Sequence, residues 1–288
     1  MTKVATKRDV GFPSSYDACA FVDALGADAV GEIAVSGAEG PRGIVFVESG
    51  RVCWAAARGL APRLTELLAA RAALAPNAME ELFRACRARG APLGEHLVET
   101  RLLDAQAFRD ALLQHTAESL ALLCTESARA AWRPRSGKGY SPRFTFATAE
   151  LLAHVGATRH GETAARVRPI LDASFEDGDW AAAFVRPVDA AFPEPIALFG
   201  SAPGAARVLL RVGKWAASVL DVVATFSDES ALYAVARPAR AKATAIVAFR
   251  HGGVVVAGET SAYGPARLLN LRAQARRSPD SGRRDADL

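Results

Sequence analysis

The sequence predicts a two-domain protein of the α+β class, and three patterns along the chain lead to that prediction. Residues 31–57 alternate between apolar and polar side chains and are broken by glycine-containing turns, as in a run of antiparallel strands. Residues 92–124 carry apolar side chains at helical spacing. Beyond residue 162 a second succession of helices and strands begins, and 288 residues suffice for two domains of common size. The expected divisions are a first domain at 1–153, a domain boundary within the polar stretch 154–163, a second domain at 162–277 and a disordered tail at 278–288.

Composition and charge indicate a folded protein and exclude several classes of function. Half of the residues are apolar and 23% are charged, unlike a disordered chain. The net charge of +4 is too small and too scattered to imply a nucleic-acid partner by itself. The four cysteines lie singly, without the paired spacing of a zinc site, so we expect no metal and no cofactor. No segment resembles a signal peptide or a membrane span, and the sequence therefore predicts a cytoplasmic protein.

The first domain is organised around three predicted strands in residues 31–57. Apolar residues alternate with polar or small ones over 31–36, the period of a strand with one covered face. Glycines and a proline in 37–43 predict a chain reversal, and 44–47 is a continuous run of strand-forming residues. The sequence at 48–51 predicts a second reversal into the third strand.

Helices are predicted before and after these strands along the chain. Residues 1–13 are expected to form a loose arm, followed by a serine-capped helix that ends at Gly26. After the strands, a helix places Leu64, Leu67 and Leu68 in one stripe, which we expect to cover the sheet.

Two more helical segments follow, the second at 92–124. Pro76 is expected to stop one helix before the next is capped. Within 92–124, Leu102 and Leu103 are predicted to form a buried link, and Asp104 to cap a long helix.

The first domain is predicted to close with a β-hairpin at 130–146. Residues 130–133 and 143–146 supply the two strands, and glycines at 136–139 supply the turn. The hairpin would return to the first sheet.

The second domain is predicted as a helix, two strands, a long helix, three strands and a final helix. The first helix contains Pro169, which must either open it or kink it. The strands are expected at 180–185, 195–199, 231–236, 244–249 and 254–257, the long helix at 203–226 and the final helix from Pro265.

The stretch GEIAVSGAEGPRGIVFVESGRVCWAAARG resembles the opening of the PatA-type domain of unknown function, found in bacterial response regulators and gliding-associated proteins. The shared pattern is a small helix, then G-x-[IL]-x-V, then [IV]-x-F-x-x-G-R-[IV] running into alanines, and a closing strand like residues 143–146. The resemblance covers about residues 16–152. It implies interaction or regulation and supplies no catalytic residue.

The stretch PLGEHLVETRLLDAQAFRDALLQH is similar to a repeated pattern in the N-terminal domain of type II secretion ATPases, some of which bind cyclic di-GMP. Pro92 replaces the arginine before the LG pair, and Arg101 replaces the glycine before the LL pair. We therefore favour a helical packing unit and keep a cyclic-dinucleotide sensor as the alternative. The residues that would carry that alternative are Leu93, Gly94, Leu97 and Gln114.

The element order of residues 162–277 resembles the Roadblock family, to which the bacterial polarity protein MglB belongs. The resemblance rests on the order of helices and strands, with no diagnostic motif. It implies a dimeric platform that often partners a Ras-like GTPase.

No constellation of residues predicts an enzyme. The pairs Gly137-Lys138 and Gly213-Lys214 lack both the earlier glycine and the following serine or threonine of a P-loop. The five histidines lie singly, without hydrolase or zinc-protease spacing around them.

A second alternative is weak nucleic-acid binding by residues 129–144. This stretch interleaves cationic and aromatic side chains and contains no acidic residue, as a single-strand binding surface would. The opposing interpretation is a solvated hairpin, because one hairpin supplies few phosphate contacts. The candidate contacts are Arg133, Arg135, Lys138, Tyr140 and Arg143.

The long helix at 203–226 carries the leading hypothesis. Its polar residues form one narrow stripe, which leaves more apolar surface than one sheet needs, unless other parts of the chain cover it. We predict a homodimer interface composed of Val208, Leu209, Val212, Trp215, Val219 and Leu220. The sequence thus favours a non-catalytic bacterial signalling or scaffold protein that acts by protein–protein association. Its partners would be a second copy and a regulatory protein, such as a small Ras-like GTPase or a response regulator.

Overall fold

A computed structural model describes residues 10–137, 139–186, 193–200, 202, 204–224, 232–238, 243–251, 253–261 and 268. The fold is α+β, with helices and two five-stranded antiparallel sheets, so the predicted class is confirmed. The chain divides into two compact units, unit 1 (Met1–Val155) and unit 2 (Gly156–Leu288). The predicted tail and, apart from Leu268, the predicted final helix lie outside the described residues.

The sheet of unit 1 contains the three strands predicted in residues 31–57. Their bounds are β2 (Gly31–Gly37), β3 (Gly40–Glu48) and β4 (Arg51–Ala57), with β1 (Val10–Gly11) before them and β5 (Arg129–Pro134) after them. The strand order is β1-β5-β2-β3-β4. The reversal between β2 and β3 is tighter than expected, because Gly37 already pairs with Gly40.

One face of this sheet, the inner face, is covered by helices. Ile33, Val45 and Val52 are buried there against α1 (Ser15–Leu25) and α5 (Ala105–Leu123). A gap between the sheet and these helices is lined by apolar side chains and leaves no space for a water molecule. This gap therefore offers no room for a ligand.

The remaining helices that begin in unit 1 pack on α5 or on one another. They are α2 (Leu64–Arg71), α3 (Pro76–Arg89), α4 (Leu93–Glu99) and α6 (Thr148–Arg159). The leucine stripe of α2 was expected to cover the sheet, but α2 packs on α3 and α5, because α5 already lies on β4 and β3. Asp104 caps α5 as predicted, since its carboxylate accepts the Gln106 and Ala107 N–H groups.

The prediction of a loose arm at 1–13 is wrong for residues 10–12, which belong to the sheet and its core. Val10 and Gly11 pair with β5, and Phe12 is fully buried with its ring edge-on to Phe21. Residues 1–9 lie outside the described part.

The hairpin predicted at 130–146 is wrong. β5 pairs with β1 on one side and with β2 on the other, so no edge of β5 remains for a following strand. Residues Pro142–Phe144 form a short 3₁₀ helix, and Phe146 bridges Val52 at the opposite edge of the sheet. The chain therefore crosses from β5 to β4.

Two local predictions also need correction. Leu102 is 40% exposed, so only Leu103 is a buried link. Pro76 does not stop a helix but opens α3, where its missing N–H costs no hydrogen bond. The stretch 154–163 is helical, because α6 and α7 (Gly161–Ser174) run through it, and the division between the two units lies within it, at Val155 and Gly156. Pro169 lies inside α7.

Unit 2 is a sheet with a helix on each face. Its strands, in the order β7-β6-β10-β9-β8, are β6 (Trp180–Val185), β7 (Glu194–Gly200), β8 (Leu232–Pro238), β9 (Ala243–His251) and β10 (Val254–Ser261). Val167 and Leu171 of α7, with Leu268, pack against one face. α8 (Ala206–Ala224) crosses the other face and contacts all five strands. The alanines at 181–183 of β6 let both helices approach closely.

Candidate association surfaces

The buried side of α8 is fitted closely to the sheet of unit 2. Leu209 and Ala216 are fully buried and Leu220 is 2% exposed. Gly213 lies over Phe184, because a Cβ atom added to the glycine would come 2.6 Å from the ring. This contact determines which side of α8 faces the sheet.

A second, apolar side of α8 is partly exposed. It consists of Val208, Val212, Trp215, Val219 and Val222, which we call the α8 stripe. The spacing of four, three, four and three residues aligns these side chains along the helix. Val208 is 39% exposed and Val222 is 61% exposed. Trp215 lies at the centre of the stripe, seven residues from either end.

The α8 stripe is narrower than the interface predicted from the sequence. Leu209 and Leu220 belong to the core of unit 2, so they are not available to a partner, whereas Val208, Val212, Trp215 and Val219 do lie on the stripe. Val222 was missed, although the four-three spacing continues to it.

Polar side chains border the α8 stripe on its other side. Arg207, Arg211 and Lys214 are exposed in the first half of the helix. In the second half, the carboxylate of Asp221 is 2.8 Å from the guanidinium of Arg186 and also contacts Arg250. The charges are therefore distributed unevenly along the helix.

A different surface lies on unit 1, on the face of the sheet opposite α1 and α5. Strand alternation and register place two rows of side chains there. One row contains Arg133, Glu32, Phe46 and Trp54, and the other contains Ala131, Ala34, Ile44 and Ala56. We call the six partly exposed apolar members the outer patch, namely Ala34, Ile44, Phe46, Trp54, Ala56 and Ala131. The rings of Phe46 and Trp54 stack with centroids 4.8 Å apart.

Residues 135–137 and 139–141, which we call the strap, lie at one end of this face. The Gly139 N–H donates to the carboxylate of Glu48 at 2.9 Å. The indole N–H of Trp54 donates to the Tyr140 hydroxyl at 3.0 Å, and burial raises the pKa of that hydroxyl. The strap is thus attached to the edge of the outer patch.

The arginines proposed for nucleic acid do meet an acidic residue, contrary to their sequence context. Glu32 is buried, and its carboxylate is 2.8 Å from Arg135 and 3.5 Å from Arg133. The hydrogen bond from Arg135 lowers the pKa of Glu32 despite burial. Arg143 stacks on Phe144, and Lys138 lies outside the described residues. This arrangement does not favour a phosphate-binding groove.

The residues considered for a cyclic dinucleotide are occupied by packing. Leu97 is fully buried, and Gly94 lies against the ring of Phe108. The amide of Gln114 accepts from Arg71 at 3.2 Å and donates to Glu118 at 3.1 Å. Leu93 is partly exposed, and unlike the other three residues it is not held in this way by the described part of the chain.

Burial shifts the pKa values of several titratable groups among the described residues. Burial lowers the pKa of His115, whose imidazole faces the backbone of Ala55, and it lowers the pKa of His154. Among the described residues, no three side chains of Cys, His, Asp or Glu come together as metal ligands would. Burial raises the pKa of the Cys53 thiol to about 12, which disfavours the nucleophilic thiolate.

Comparison of the chain with protein-family models, with curated protein sequences and with solved structures gives no match. None of the helices in the described part of the chain combines the length and the apolar character that a membrane-spanning segment needs.

Proposed function

We propose that this protein is a non-catalytic scaffold that acts by protein–protein association, and that unit 2 forms a homodimer through the α8 stripe. The observation that carries the proposal is the exposure of Val208 and Val222 at the two ends of an apolar row. A helix already packed on its sheet through Leu209, Ala216 and Leu220 has no internal need for this second apolar side. Contiguous apolar surface on a folded protein is typical of an interaction site.

The α8 stripe is suited to a two-fold symmetric contact. Such a contact requires a self-complementary surface, and Trp215 has a valine seven residues away in each direction. The stripe runs along about 21 Å of helix. A stable dimer buries about 800 Å² on each partner, so the stripe would form the centre of the interface, with Trp215 as its anchor.

An antiparallel pairing of the two helices is the favoured geometry. It places the basic first half of one helix, with Arg207 and Arg211, near the second half of the other, and it sets the helix dipoles in opposition. A parallel pairing would bring the basic halves of both copies together. In the antiparallel pairing, Val208 of one copy lies opposite Val222 of the other.

The PatA-type and Roadblock resemblances add the expected biological setting. Together they point to a bacterial regulatory platform whose further partner would be a small Ras-like GTPase or a response regulator. The dimer of unit 2 would be the platform to which that partner binds.

Light scattering on the full chain tests the dimer. We expect a dimer at tens of micromolar and a monomer for Trp215→Glu, because a carboxylate cannot be buried at the centre of an apolar interface without a large penalty. Ser218→Glu is the matched control, since it adds the same charge three residues away on the exposed polar side of α8. A monomeric unmodified chain, or equal disruption by Ser218→Glu, would refute the dimer.

Disulfide trapping tests the direction of pairing. A mixture of Val208→Cys and Val222→Cys chains carrying different tags should cross-link, whereas Val208→Cys alone should not. The unmodified chain controls for its own cysteines, of which Cys19, Cys53 and Cys86 are buried. Cross-linking of Val208→Cys with itself would indicate parallel helices.

A further inference from the structure

The outer patch of unit 1 is unusual because it is apolar on a sheet face that bears no described helix. The helices of unit 1 are placed on the inner side: α1 and α5 lie on the inner face, α2, α3 and α4 pack around α5 and one another, and α6 contacts α1 and α5 through side chains. An antiparallel sheet with one face toward water normally alternates polar residues onto that face. Here Ala34, Ile44 and Ala56 occupy those positions, beside the stacked rings of Phe46 and Trp54.

The dimensions of the outer patch match one helix. Its two rows cross four strands spaced about 4.8 Å apart, which gives a width of about 14 Å. The rows lie about 7 Å apart along the strands, within the diameter of about 10 Å of a helix. A second sheet would need the whole face, and the strap already occupies one end of it through Gly139 and Tyr140.

The charges beside the outer patch indicate which charge a partner should carry. β5 carries exposed arginines at 129 and 133 on the same face, and Arg135 follows the strand. Glu32 is the acidic side chain that offsets them within the rows. Three guanidinium groups and one carboxylate leave this border positively charged, so it complements acidic residues on a partner.

We propose that the outer patch binds an acidic amphipathic helix of another protein. The apolar side of the bound helix lies across β5, β2, β3 and β4, with the Phe46–Trp54 stack as the anchor. Its acidic residues lie toward Arg129, Arg133 and Arg135. This site is separate from the α8 stripe, so it gives the scaffold a second docking surface and does not depend on the dimer.

Fluorescence anisotropy of labelled peptides on the full chain tests the proposal. The probe is a designed amphipathic helix of about 14 residues, or about 21 Å, with leucines on one side and glutamates on its borders. A second peptide has lysine in place of each glutamate. We expect the acidic peptide to bind at least about tenfold more tightly than the basic one.

Two alanine-to-glutamate variants locate the binding site. Ala34→Glu puts a charge in the outer patch and should weaken binding of the acidic peptide by about tenfold or more. Ala70→Glu, the same substitution at an exposed position of α2, should change it by no more than about twofold. Circular dichroism verifies that both variants fold. Arg129→Glu should weaken binding of the acidic peptide while leaving the fold intact.

Each other outcome overturns the proposal. Equal binding of the two peptides, no binding of either, or unchanged binding in Ala34→Glu would remove the acidic helix as the occupant. If a single-stranded oligonucleotide binds more tightly than the acidic peptide, and Ala34→Glu abolishes that binding, the face is a nucleic-acid site. Loss of the dimer in Ala34→Glu would assign it to self-association. Trp215→Glu should leave peptide binding unchanged, so failure of the α8 dimer and failure of this site are distinguishable.

Discussion

The ring of Phe108 occupies the space that any side chain on Gly94 would need. A Cβ atom added to Gly94 would lie 1.9 Å from Cζ of Phe108. Gly94 belongs to α4 and Phe108 to α5, so the glycine sets how closely these helices pack. Phe108 in turn meets the ring of Phe144 edge-on, with centroids 4.8 Å apart. The glycine of the LG pair therefore has a structural role that requires no ligand.

Gly94→Ala should destabilise the protein. The added methyl group forces the Phe108 ring to move within a packed cluster, at a cost of about 1–3 kcal/mol in the free energy of unfolding. Gly161→Ala is the control, because nothing lies within 4 Å of a Cβ atom added there. Urea denaturation measures both variants. Equal stability of Gly94→Ala and the unmodified chain would show that α4 and α5 separate at little cost.

Cyclic di-GMP should not bind. Pro92 and Arg101 stand where the related pattern has an arginine and a glycine, and Leu97 is buried. Isothermal titration should give no heat above the dilution background. Micromolar binding that disappears in Leu93→Ala would instead support the sensor hypothesis, since Leu93 is partly exposed and its replacement leaves the Gly94 contact unchanged.

Unit 1 should lose stability in mild acid because of His115. Burial lowers its pKa below the ordinary value of 6.5, although Glu118 and the Ala55 backbone act in the opposite direction. Well above pH 6.5 the imidazole is neutral in both the folded and the unfolded chain. Below it the unfolded chain takes up the proton first, so the free energy of unfolding decreases as the pH falls toward the folded pKa.

Denaturant titrations from pH 7.5 to 5 on the unmodified chain and on His115→Gln measure this effect. The variant should lose part of the pH dependence. His154 should account for a further part, because burial lowers its pKa as well. An identical pH dependence in His115→Gln and the unmodified chain would exclude His115 as its source.

Asp179→Ala should destabilise unit 2. The buried carboxylate accepts hydrogen bonds from the Thr260 hydroxyl at 2.9 Å and from the Glu176 and Ser261 N–H groups at 3.0 and 3.3 Å. Its removal leaves the buried Thr260 hydroxyl without this acceptor, which costs about 1–3 kcal/mol. Thermal and urea unfolding provide the measurement.

Asp177→Ala is the matched control for Asp179→Ala. Asp177 is exposed in the same turn, so its replacement should alter the free energy of unfolding by less than about 0.5 kcal/mol. Equal effects of the two substitutions would mean that the Asp179 hydrogen bonds contribute little.

The sequence by itself determined those elements whose evidence is local. The strands in 31–57 follow from alternation between turn residues, and the cap of α5 follows from Asp104 before an apolar run. The apolar excess of α8 also follows from helical periodicity, which is why four of its stripe residues could be named in advance. Each of these patterns depends on neighbours within a few positions along the chain, where backbone geometry alone relates residues to one another.

Only the tertiary structure decided which elements meet. β5 looks like half of a hairpin, yet it pairs with β1 and β2, because hydrogen bonding between distant strands leaves no trace in local periodicity. The pairing of Glu32 with Arg133 and Arg135 arises from that register and was therefore missed. On α8, Gly213 packs against Phe184. With this side of the helix on the sheet, Leu209 and Leu220 are buried in the core and Val222 is exposed. A helical pattern specifies an apolar arc, but close packing against a particular sheet decides which part of that arc is buried.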